Sequence, residues 1–140
     1  MKSYYGFTPG SKEYNTLFFA ACFHDSIEDA RQTYNDVKKI AAEFENVDPE
    51  FAADLVYALT TEKGKTRKER GNEKYYQGIR ETPFAGFLKL CDRYANMLYS
   101  KETGSRMYNV YKSELSEFLE HIKGCSCNLP DELVDKIREL

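Results

Sequence analysis

Residues 16–30 read TLFFAACFHDSIEDA, and the fold turns on how that stretch is read. Seven apolar residues, 17–23, run straight into His24-Asp25, and Glu28-Asp29 follow one turn later. Ser11 can cap a helix that begins near Lys12, which carries Leu17, Phe18, Ala21 and Cys22 towards a core and ends at His24-Asp25. Neighbouring side chains on a helix point about 100° apart, so His24 and Asp25 can reach one ion only at a helix end or across a groove. An imidazole beside a carboxylate suits Mn, Fe, Co or Zn better than Ca. Glu28 stands four residues from His24, and Asp29 four from Asp25, which puts four ionisable groups on one patch. A cation or a solvated cleft relieves their repulsion. The plainer reading is a solvated helix terminus.

Further helices are predicted on both sides. Gly6, Pro9 and Gly10 make residues 1–11 an irregular lead-in. Thr33 caps a second helix with Val37, Ile40, Ala41 and Phe44 at helical spacing, and Pro49 opens a third that runs to about Leu59. Residues 60–66, TTEKGKT, form a polar loop, followed by a charged helix over 67–80. Thr82-Pro83 starts a long helix ended by Gly104; another spans 106–122, and Pro130 begins a short last one within a C-terminal extension, 123–140. There is no Val/Ile/Thr-rich alternating run, no internal repeat and no low-complexity tract. The expected architecture is all-α, a single domain over 1–140 with six to seven helices.

Composition narrows the function. The 140 residues carry a net charge of -3 with both signs interspersed, which argues against a nucleic-acid partner. No apolar run approaches the roughly 20 residues of a membrane span, and residues 1–14 lack the apolar centre of a signal peptide. The expectation is a cytoplasmic protein, off the membrane, whose four Cys are reduced thiols.

Asp92 lies in FLKLCDRYAN, 87–96, a helix apolar enough that its carboxylate needs a partner: a metal, or the adjacent Lys89 or Arg93. The segment 63–70, KGKTRKER, sets five cations against the single Glu69, which makes either a phosphate clamp or a solvated face.

Three ordered segments resemble the HD superfamily of metal-dependent phosphohydrolases: FFAACFHDSIEDARQTYNDV at 18–37, VYALTTEKGKTRKER at 56–70 and KLCDRYAN at 89–96. They are most similar to the hydrolase domains of the Rel/SpoT type and their small stand-alone relatives, which remove the 3′-pyrophosphate of guanosine tetra- and pentaphosphate. The likeness covers roughly residues 16–122 and implies an HD-type helical bundle. It implies His24, Asp25 and Asp92 as ligands of a divalent metal, Mn²⁺ first. Glu28 and Asp29 then orient and deprotonate the attacking water. Lys65, Arg67, Lys68 and Arg70 meet phosphates, and Asn96 contacts the nucleotide. The implied partner is a small nucleotide substrate.

The chain departs from that pattern at one point. The family uses a first His on a helix upstream of the HD pair, and none of the 23 residues before His24 is a His. Three accounts are open: a natural chain with a further upstream segment, a three-ligand site completed by water, or a degenerate HD-type protein that binds a nucleotide or partner without turnover. A missing helix would also expose apolar surface, so a homo-oligomer is expected, with residues 3–7, SYYGF, covering part of the gap. Cys22 and Cys91 are expected to pack as small buried hydrophobes. His121, Cys125 and Cys127 form H-x3-C-x-C without an evident fourth zinc ligand. Tyr108 and Tyr111 read as core and cleft wall.

Overall fold

A computed structural model describes residues 2–140. The first helical turn is α1 (Lys2–Tyr5), and α2 (Lys12–Phe23) follows with Ser11 as its cap. A single turn, α3 (Ser26–Asp29), leads to α4 (Tyr34–Ala41), which opens on a capping box between Thr33 and Asp36. Next come α5 (Pro49–Leu59), the one-turn α6 (Arg67–Arg70) and α7 (Glu73–Glu81). The chain closes with α8 (Ala85–Thr103), α9 (Met107–Ile122) and α10 (Asp131–Glu139). Among the described residues there is no strand. Seven helices have eight residues or more, so the chain is an all-α bundle, as the sequence predicts.

α5 is the hub. It packs against α2, α4, α7 and α8 and touches α3; α8 in turn carries α9 and α10. α5 is built for this role: Ala52, Ala53, Leu55, Val56, Ala58 and Leu59 are all buried. Its small alanines let α2 and α4 approach closely. One continuous apolar core runs from Leu17 to Ile137, so the C-terminal extension belongs to the same core through Leu133 and Ile137.

The start of α5 is tied to α2. Asp48 Oδ1 accepts from the Phe51 amide at 3.1 Å, while the Asp48 amide donates to Thr16 Oγ1 at 3.0 Å. Asp48→Ala removes the cap and leaves the Thr16 bond, so it should cost about 1 kcal/mol. Equilibrium urea unfolding checks this; a loss indistinguishable from zero would mean that the cap contributes nothing.

Four local expectations are corrected. The predicted 67–80 helix is two helices, because Gly71 ends α6 and the Asn72 side chain caps α7 by accepting from the Tyr75 amide. α2 buries Thr16, Leu17, Phe19 and Ala20, while Phe18, Ala21 and Cys22 are exposed. Residues 17–23 are apolar all round the helix, so periodicity could not choose its inner face. Phe44, expected in a helix facing the core, lies beyond the end of α4 and is half exposed. The lead-in contains the α1 turn, and its rings do structural work on α8: Tyr5 meets Phe84 and Phe87 edge-on at 5.0 Å, and Phe7 meets Phe84 at 5.5 Å. Phe84 itself takes a left-handed conformation (φ 66°) immediately before α8, a backbone that costs an L-residue about 1–2 kcal/mol.

Candidate functional site

The fold brings His24, Asp25 and Asp92 together where the end of α2 meets the middle of α8. His24 Nε2 lies 3.2 Å from Asp25 Oδ2 and 3.3 Å from Asp92 Oδ1. His24 Nδ1 is 2.6 Å from the Ala21 carbonyl oxygen. A carbonyl only accepts, so Nδ1 carries the proton and Nε2 is the free end of the ring. A bare lone pair cannot face two carboxylates without repulsion. Nε2 therefore needs either its own proton or a cation beside it.

The charges follow from that contact. The hydrogen bond to Asp92 raises the His24 pKa to about 9, against the opposing effect of burial. For Asp92, burial works upward, but the bonds from His24 and Lys89 outweigh it and hold the carboxyl at about 2. The Asp25 carboxyl is pushed up, first by burial and then by Asp92, Asp29 and Glu28, partly offset by His24. Asp92 is enclosed by donors: Lys89 Nζ donates to Oδ2 at 3.1 Å and Asn96 Nδ2 to Oδ1 at 3.2 Å.

As a metal centre the donor set is partly suited. Two ligand atoms around one small divalent ion stand about 3 Å apart, and a ligating His characteristically gives its other N–H to a carbonyl; both conditions hold at His24. Yet no group of three or more His, Cys, Asp or Glu among the described residues is arranged to hold a metal ion as it stands. The donors close on the imidazole itself, and Lys89 occupies one oxygen of Asp92.

The other expected site residues are placed as follows. Glu28 turns towards Thr61: its Oε1 accepts from the Thr61 amide at 2.8 Å and from the Thr61 hydroxyl. Asp29 is exposed one residue further on. A capping box between Thr66 and Glu69 orders the basic run. Arg67, Lys68 and Arg70 line a cleft of about 380 Å³ between α6, α7, α8 and α9, together with Lys89 and Arg93 of α8. Lys65 is exposed, with its backbone amide bonded to Glu69 at 2.7 Å. Two residues join the cleft to the His24 cluster: Thr61, which holds Glu28, and Lys89, which holds Asp92.

Sequence reasoning missed Thr61 and Glu114. Arg67 Nε donates to both oxygens of Glu114, at 2.7 and 3.0 Å. Nothing in the spacing of residues so far apart announces that pair. Arg93, weighed as a partner of Asp92, faces the other way: its guanidinium lies 4.3 Å over Phe118 and 5.0 Å over Tyr111. Tyr111 is partly buried against the core, near the Arg67 and Arg93 guanidinium groups, but neither it nor Tyr108 lines the cleft; the Tyr108 hydroxyl donates to the Leu140 carbonyl.

The C-terminal thiols are a separate feature. Cys125 and Cys127 sulfurs are 3.3 Å apart, and burial pushes the Cys125 thiol up to about 11. Gly86 of α8 makes room for them, since a Cβ there would come within 2.9 Å of Cys125. His121 is turned away, stacked on Tyr76 at 4.3 Å and near Glu117 and Glu73. Cys22, expected as a small buried hydrophobe, is exposed, and Cys91 is half-buried.

Comparison with known proteins adds no relative: no family model, no curated protein and no solved structure matches the chain. No helix among the described residues is long and apolar enough to cross a membrane.

Proposed function

We propose that the chain is a metal-dependent phosphohydrolase of the HD type that acts on a nucleotide, with guanosine 3′-pyrophosphate as the first substrate to test. One observation carries the reading: the free nitrogen of His24, fixed by the Ala21 carbonyl, meets carboxylates from two of the three family-like segments. His24, Asp25 and Asp92 would hold the ion, Mn²⁺ first. When bound, such an ion makes water a usable nucleophile near neutral pH and offsets phosphate charge.

The chain's own groups do the rest. Glu28 and Asp29 orient the attacking water and accept its proton, Glu28 from its seat beside Thr61. Arg67, Lys68 and Arg70 hold phosphate oxygens in the cleft; Lys65 of the same run and Asn96, beside Asp92, contact the rest of the nucleotide from outside the cleft lining. Self-association belongs to the same reading; the exposed rings of Phe18, Phe44, Tyr57 and Tyr99 are the apolar surface available for it.

A second reading is a degenerate HD-type protein that binds a nucleotide or a partner without turnover. The bond from Lys89 to Asp92, which competes with a metal for that carboxylate, favours it. Manganese titration separates the two. The first reading expects about one Mn²⁺ per chain, weakened about a hundredfold or more in Asp92→Asn. The ion must displace a proton held on His24 at about 9. Its apparent affinity should therefore rise from pH 7 towards pH 9. No binding at millimolar Mn²⁺ would favour the second.

A further inference from the structure

Among the described residues, Arg93 is the one buried charged side chain, and it has no ion-pair partner. It is 6% exposed, and among the described residues no carboxylate lies within ion-pair distance. Its Nη1 is sealed from solvent without a hydrogen-bond partner. The faces of Phe118 and Tyr111 offset part of the charge, but rings accept no strong hydrogen bond, and a buried unpaired cation is costly. Arg93 nevertheless lines the open cleft, where Lys68, Arg70 and Lys89 add further positive charge.

A second guanidinium of the cleft lies near the same ring. Arg67 lies 5.2 Å over the same Tyr111 ring that Arg93 covers at 5.0 Å. Both guanidinium groups therefore lie near one ring, and of the two only Arg67 has an ion-pair partner, Glu114 at 2.7 Å. Glu114 itself lines the cleft. It therefore stands where an incoming anion would, as a resident carboxylate on a site built for one.

We infer that Arg93 and Arg67, which line one cleft and both lie near the Tyr111 ring, form a seat for a phosphoryl anion of a small molecule, and that Glu114 occupies the Arg67 half until the anion arrives. The inference deepens the proposed function by naming the seat for one phosphate group, and it rests on that reading only for the nucleotide. The seat requires no metal. An anion there pairs with the Arg93 charge and releases Glu114 to the solvent side of the cleft. Fork-shaped guanidinium groups match phosphate oxygens two at a time.

The test is calorimetric titration of inorganic pyrophosphate into the full chain in excess chelator, with guanosine diphosphate as a competitor. Wild-type protein should bind pyrophosphate. Arg93→Met should weaken binding by about tenfold or more while melting at the same temperature or higher in anion-free buffer, because an unpaired buried charge has been replaced by an apolar side chain. Glu114→Gln should bind pyrophosphate several-fold tighter. If guanosine diphosphate displaces pyrophosphate at lower concentration than pyrophosphate itself, the seat takes a nucleotide's phosphate; if not, it takes the free ion. No binding by wild type overturns the seat, as does Arg93→Met binding like wild type. If Arg93→Met does not fold, Glu114→Gln decides, and unchanged affinity there overturns the proposal. Hydrolysis is a separate readout: pyrophosphate binding without any hydrolysis rejects the catalytic reading and keeps the seat.

Discussion

His24→Ala should lower pyrophosphate release from guanosine 3′-pyrophosphate by about a thousandfold or more, with the fold retained. The size follows from where His24 sits. Its Nε2 is the point on which Asp25 and Asp92 converge, and its Nδ1 is fixed by Ala21. Without the ring, Asp92 keeps Lys89 and Asn96 as donors, but nothing joins it to Asp25. Metal held by the two remaining carboxylates would be weak and misplaced. The helix should survive, because the His24 side chain is 24% exposed and the Leu17, Phe19 and Ala20 face of α2 is untouched. Far-ultraviolet circular dichroism alongside the assay separates lost chemistry from lost structure. Hydrolysis within about tenfold of wild type would remove His24 from the site.

The largest stability loss should come from α5. Leu55 is fully buried on the helix that meets α2, α4, α7 and α8. Leu55→Ala deletes packed methyl groups and leaves a cavity that four helices cannot easily close. The expected cost is about 3 kcal/mol, a large part of the stability of a domain this size. The melting temperature should drop by about 10 °C. Tyr57 on the same helix is 66% exposed, so Tyr57→Ala should cost less than about 1 kcal/mol. Equal losses at the two positions would mean that α5 is not the hub.

The bundle was legible because most of its helices carry their own punctuation. Ser11, Thr33 and Pro49 mark starts that the structure keeps, and Gly104 ends α8 in a left-handed conformation. The cap at Asn72 carries the same kind of signal, but a continuous charged pattern over 67–80 masks it. The inner face of α2 was not legible. Apolar side chains surround its residues 17–23, and long-range docking, including the bond between the Asp48 amide and Thr16, selects the face that is buried.

The candidate site divides in the same way. Nearness of His24 to Asp92 was readable only from the order of three segments, since local spacing says nothing about residues on different helices. Asp92 and Arg93 are neighbours in sequence, yet a helix points them about 100° apart, so one faces His24 and the other Phe118. The bonds of Glu28 to Thr61 and of Arg67 to Glu114 depend on where the 60–66 loop and α9 come to rest. No periodicity encodes that.

Pyrophosphate release from guanosine 3′-pyrophosphate by the purified chain, with and without Mn²⁺, tests the central claim most directly. The account predicts release that chelator abolishes, that added Mn²⁺ restores and that His24→Ala lacks. Release no faster than that of the His24→Ala protein at millimolar Mn²⁺ would contradict it.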